Sequence, residues 1–144
     1  MKNKIYQGLI ALTLFAALML PTAQAEPKIA LKASIPFEFV VNEKHLPSGE
    51  YEVSHVPNTA IILIQSRDGR SAAYTPPAIL VDARSRDVGE LVFNRYGDQY
   101  FLSRIVTPGD YIGSQLTKSR LERELARSMA EPGTAVVVAQ SVRK

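Results

Sequence analysis

His45, Glu50, Glu52 and His55 fall within eleven residues, and imidazole together with carboxylate oxygen is a donor set that suits zinc and similar ions. Strand spacing works against a joint site. Successive side chains of an extended segment point to opposite faces, so Glu50 and Glu52 share one face and His55 takes the other. His45 belongs to the preceding turn. The two carboxylates would stand about 7 Å apart by strand rise, a separation that inverting glycoside hydrolysis can use. Alternating Glu on one strand face is equally what a solvated sheet surface presents. Ser54 adjoins His55, but strand neighbours diverge, so the pair does not form a nucleophile and its base. The chain has no Cys and no G-x-S-x-G elbow. Asp68, Asp82, Asp87, Asp98 and Asp110 lie in or near turns, yet no D-x-D-x-D-G spacing gathers them for calcium. Gly97, Gly109 and Gly113 are isolated and form no phosphate-cradling loop. No residue is assigned a catalytic, cofactor-binding or metal role on these patterns, and no cofactor is implied.

The most distinctive charged stretch is Lys118 to Arg127. Arg120, Arg123 and Arg127 are the candidate partner-binding residues, able to face phospholipid, polysaccharide or a protein. Lys118 with Glu122 and Arg120 with Glu124 stand four apart, a spacing at which a helix face neutralises itself.

Where the chain goes is written at its start. Lys2 and Lys4 precede an uncharged, mostly apolar run from Leu9 to Leu20, and Pro21 leads into Ala23-Gln24-Ala25. A basic start, a short apolar run and a small-x-small site read as a secretory signal peptide spanning 1–25. Twelve apolar residues fall short of the roughly 20 that a spanning helix needs. Removing 25 of the 144 residues leaves 119, expected to form a single domain over 26–144. Removing Lys2 and Lys4 from 17 basic residues leaves 15 against 14 acidic ones. That balance gives no drive toward an anionic partner, and nucleic acid is not expected. Periplasm, cell surface and medium all remain open as destinations.

The positioning elements are strands. Leu31, Ala33, Ile35, Phe37, Phe39 and Val41 occupy odd positions, and Tyr51 and Val53 resume the pattern, which is the period of a half-buried strand. Pro36 cannot donate to a ladder, so the first strand is expected to bend or change partners there. Asn42 to Gly49 reads as a loop; its Leu46-Pro47-Ser48-Gly49 superficially matches a sortase signal and is better explained as a turn. Ala60 to Gln65 is apolar on both parities and reads as a central strand covered on both sides. Asp68-Gly69 suits a primed two-residue hairpin turn. Ser71 to Thr75 returns, and Ala78 to Ala83 is a further short strand. Glu90 to Asn94 and Gln99 to Val106 form a hairpin. A three-residue loop, Tyr96-Gly97-Asp98, would put Leu91, Phe93, Phe101 and Ile105 on one face. Ser119 and Glu122 make a capping-box pattern for a helix ended by Pro132-Gly133, with Leu121, Leu125 and Met129 as its apolar stripe. The β-branched segment from Thr134 to Val142 can return as a last strand.

Ile35-Pro36-Phe37-Glu38-Phe39-Val40-Val41, followed by Leu46-Pro47-x-Gly49-x-Tyr51-x-Val53, resembles a pattern in uncharacterised small exported bacterial β-domain proteins. The resemblance extends through Asn94-Arg95-Tyr96-Gly97 and the Lys118 to Arg127 helix. It implies export and a β-rich fold and carries no activity, so no residue inherits a role. The LPxGxYxV portion is also similar to the strand entry of prealbumin-like and other immunoglobulin-like sandwich domains.

The expected architecture is mainly β: a small β-sandwich or partly closed barrel of about seven strands with one C-terminal amphipathic α-helix. The expected function is that of an exported, non-enzymatic envelope or extracellular domain with a structural or binding role. The alternatives are a small periplasmic hydrolase or metal-dependent enzyme, and a ligand carrier if a barrel encloses a cavity.

Overall fold

The computed structural model describes residues 28–83, 87–109, 111–129 and 131–142. The expected signal segment at 1–25 lies outside the described residues. Among the described residues the fold is mainly β with one helix. Strand β1 (Lys28–Ile35) ends at Pro36, as the missing amide requires, and the chain changes partners: β2 (Phe39–Val41) pairs with β3 (Lys44–Leu46) rather than continuing along β1. Then follow β4 (Gly49–His55), β5 (Ile62–Ser66), β6 (Ala72–Tyr74), β7 (Ile79–Asp82), β8 (Gly89–Tyr96), β9 (Gln99–Val106) and β10 (Ile112–Gln115). Helix α1 (Arg120–Ser128) and β11 (Gly133–Ser141) complete the chain.

All eleven strands belong to one sheet, whose main path runs β3-β2-β9-β8-β11-β1-β4-β5-β6. Its two ends, β3 and β6, come into contact, so the sheet nearly closes into a barrel. The strand count exceeds the expected seven because Lys44–Leu46, within the expected loop, and Ile112–Gln115, assigned to no element by the sequence, are short strands. Strand β9 is a branch point. Along one margin it meets β2 at Phe101 and β10 at Arg104, Ile105 and Val106, and β10 in turn carries β7.

The odd-position pattern of the first strand is the barrel's inner face. Leu31, Ala33 and Ile35 join Phe39, Val41, Leu46, Tyr51, Val53, Ile62, Ile64, Ala73, Leu91, Phe93, Leu102, Ile105, Leu116 and Ala139 in one buried cluster. Phe39 sets its ring edge-on to Tyr51 at 5.0 Å and to Phe93 at 5.5 Å. Phe37 is only half-buried; it stacks on Tyr100 at 3.9 Å, where the core meets solvent.

Four local expectations give way to the packing. Asn42-Glu43 is a two-residue turn with both residues at positive φ, 45° and 67°, which makes the expected loop a β2–β3 hairpin. Asp68-Gly69 lies inside a four-residue connection: Ser66 donates its amide to Ser71 O, and the Asp68 carboxylate takes both the Ser66 hydroxyl and the Arg70 amide. The Asp side chain stabilises a wider loop than the primed turn expected. β5 is covered on one face only; Ile62 and Ile64 are buried, while Leu63 is half-exposed.

The β8–β9 hairpin differs most instructively. Tyr96 pairs with Gln99, so the loop is Gly97-Asp98 alone, with Gly97 at φ 62°. That register would mix faces, as Phe93 opposes Leu102. A bulge at Ser103 then restores agreement, and Leu91 opposes Ile105. The inner face therefore receives Leu91, Phe93, Leu102 and Ile105, and Phe101 goes outside.

Candidate functional site

Phe101 is buried nonetheless, because α1 lies over it. Val40, Tyr96 and Phe101 form a second buried cluster on the outer wall, covered by Leu121, Leu125 and Ala126 of the helix. Met129, expected on the apolar stripe, is exposed near Gly97. Ser119 is the N-cap, and its hydroxyl accepts the Glu122 amide. The reciprocal half of the capping box does not form. Glu122 turns inward, to 3 % exposure, where Asn94 Nδ2 donates to Oε1 at 2.7 Å and the Tyr96 hydroxyl donates at 3.4 Å. A carboxylate three residues into the helix also sits in the favourable field of the N-terminus. Glu43 supplies the missing cap from another hairpin, its Oε1 accepting the Arg120 amide.

Burial of Glu122 removes it from the surface charge pattern, and among the described residues its partners are Asn94 and Tyr96 rather than Lys118. Arg120 pairs with Glu124 at 3.1 Å, and Arg123 donates to Lys118 O at 2.7 Å. Arg127 is exposed, and its side chain has no ion pair or hydrogen bond among the described residues. The three arginines thus share a helix but not a common state.

The His and Glu residues of the first strands are dispersed. His45 Nδ1 meets Glu38 at 3.0 Å, Glu52 pairs with Lys32 across β4 and β1 at 3.1 Å, and His55 ends β4 at the surface. Among the described residues no group of three or more His, Cys, Asp or Glu converges to hold a metal.

The Leu46-Pro47-x-Gly49-x-Tyr51 motif has a structural account. Leu46 enters the core, the chain turns, and the buried Tyr51 donates its hydroxyl back to Pro47 O at 2.7 Å. This ties a turn to the strand it feeds, in the manner of a tyrosine corner. A cleft of about 390 Å³ opens between this turn and the β5–β6 connection, lined by Ser48, Glu50, Tyr51, Arg67, Asp68 and Ser71 among others. The Ser66 hydroxyl and the Arg70 amide hold the Asp68 carboxyl below the usual carboxylate range. Burial, with the Asp68 charge adding to it, pushes the Tyr51 phenol up.

The clearest departure from an ordinary solvated surface is at β7 and β10. Ile79 (58 % exposed), Leu80 (70 %), Tyr111 (73 %) and Ile112 (52 %) gather there. Register shows how. Asp82 opposes Ile112 and Leu80 opposes Ser114, so Leu80 and Ile112 share a face. Ser114 opposes Ile105, a core residue, so this face continues the inner surface of the barrel beyond the point where the barrel covers it. β7 pairs only with β10 among the described residues. Ala83 donates its amide to Tyr111 O, which by antiparallel alternation aims the backbone groups of Leu80 and Asp82 away from β10, to the open edge. Ala78 to Ala83 was legible as a strand, but its pairing with β10 and its exposure were not. The only sequence signal was a run of apolar residues too short to belong to a core strand of its own.

No protein-family model matches the chain, and no curated protein or solved structure matches it significantly. No described helix is long and apolar enough to cross a membrane.

Proposed function

We propose that this chain is an exported, non-enzymatic domain that binds a partner polypeptide, and that the uncovered β7–β10 ladder is its binding surface. The observation that carries the reading is the shared, exposed face of Leu80 and Ile112 beside an open strand edge. Contiguous exposed apolar surface marks interaction sites, and an open edge accepts an added strand through main-chain hydrogen bonds. Export rests on the basic start, the short apolar run and the Ala23-Gln24-Ala25 site of the sequence. The carrier alternative finds little support, since Phe39, Tyr51 and Phe93 occupy the barrel interior. The hydrolase alternative needs convergent groups, and His45, Glu52 and His55 are engaged or placed apart.

The test is co-sedimentation of the purified mature chain with envelope fractions of the producing cell. Binding is expected to fall at least about tenfold in a Leu80→Lys, Ile112→Lys variant whose melting is unchanged, the size of effect that loss of a binding hot spot gives. Equal binding by that variant overturns the assignment of the surface. Charge reversal at Arg120, Arg123 and Arg127 in the same assay decides whether the helix takes part. Loss of binding there, with the apolar variant unaffected, moves the surface to α1.

A further inference from the structure

We propose that α1 is a displaceable cover, which opens as a local unit while the barrel stays folded and thereby uncovers the aromatic pair Tyr96 and Phe101 on the outer wall. The helix is nine residues long, and isolated helices shorter than roughly 12 residues are marginal in water, so its order depends on what it rests on. That support is narrow. Among the described residues the apolar side chains packed on the outer-wall cluster are Leu121, Leu125 and Ala126, and none of the three is fully buried. Two polar anchors complete the attachment, Glu122 on Asn94 and Tyr96, and the Arg120 amide on Glu43. Both depend on side chains that re-hydrate readily once the helix lifts, so opening leaves no group stranded without a partner.

The cluster beneath is separate from the barrel core. Val40, Tyr96 and Phe101 point outward, whereas Phe39, Val41 and Leu102 on the same strands point inward. Lifting α1 therefore exposes the outer cluster without removing a side chain from the core. The connections suit such a motion. Leu116 is buried and is held by its amide to Ser103 O, which fixes the chain just before the helix. Gly133 begins β11 and is paired with Arg95, which fixes it just after. A segment clamped at both ends and thinly attached between them is drawn from the low-stability end of a structure, where local opening occurs.

Native-state hydrogen exchange on the full mature chain tests this. The Arg123 and Met129 amides, bonded to Ser119 O and Leu125 O, are expected to exchange at least about 100-fold faster than amides of Leu91 and Phe93, as a sub-global opening does. Their rates are expected to rise with low denaturant, with a slope smaller than that of the β8 amides, since lifting α1 exposes only part of the surface that global unfolding exposes. A Leu121→Asp, Leu125→Asp variant is expected to lose helix protection and keep a cooperative barrel transition. Helix amides that exchange together with β8, or a double variant that unfolds throughout, overturn the proposal.

Discussion

Glu43 serves two elements at once: it holds the left-handed second position of the β2–β3 turn and accepts, through Oε1, the amide of Arg120 that begins α1. Glycine is the residue that such a turn favours, because a Cβ crowds the backbone at positive φ. Glu persists where its carboxylate meets the exposed amides and positive end of a helix.

The two effects separate by substitution. Glu43→Ala keeps the strained backbone and loses the cap, and is expected to cost about 0.5–2 kcal/mol in urea denaturation. Glu43→Gly loses the cap but relieves the left-handed penalty of about 1–2 kcal/mol, so it should be the milder change. An Ala variant as stable as the parent would show that the cap contributes nothing.

Phe39 lies at the centre of the aromatic cluster, in edge contact with Tyr51 and Phe93. Phe39→Ala should cost about 3–5 kcal/mol, the range for emptying an aromatic site in a core. A loss under about 1 kcal/mol would mean that the neighbours collapse into the space.

Gly89 stands where β8, β11 and β1 converge. A Cβ there would lie 2.5 Å from Leu31 Cδ2, 3.2 Å from the Ala139 carbonyl oxygen and 3.3 Å from Pro108 Cδ. Leu31 can swing away, but the Ala139 backbone cannot without disturbing the ladder. Gly89→Ala is expected to destabilise by about 1–3 kcal/mol, measured by thermal melting.

Asp68 gives a pH dependence of defined sign. Its folded carboxyl is held low chiefly by the Ser66 hydroxyl and then by the Arg70 amide. The stabilisation is therefore present above the ordinary carboxylate range and is lost as pH falls through the depressed folded value. In a carboxyl-carbon NMR titration Ser66→Ala should move the Asp68 midpoint upward. An unmoved midpoint would transfer the effect to the Arg70 amide.

The barrel's inner face was legible because alternation depends only on strand geometry: Leu31, Ala33, Ile35, Phe39, Val41, Tyr51 and Val53 are all buried. The β8–β9 face assignment failed at Phe101, because a bulge at Ser103 shifts parity and nothing in the local residue types announces it. Glu122 read as part of a solvated helix face, since helical spacing says nothing about a polar group waiting on another element, here Asn94. The exposed β7–β10 ladder stayed hidden for the same reason: its pairing joins segments some thirty residues apart. Local patterns reveal which residues are apolar, while the register between distant strands decides which of them are covered.

The position of β11 has a consequence for how the chain acquires its shape. This strand lies between β1 and β8, so the first and last of the described strands share a seam. Until Ala139 to Ser141 has docked, β1 lacks one neighbour and the wall has a gap. Non-local pairing of this kind is slow, because a long loop must close before its contacts form. The wall therefore closes only once β1 and β11, which lie at opposite ends of the described residues, have paired.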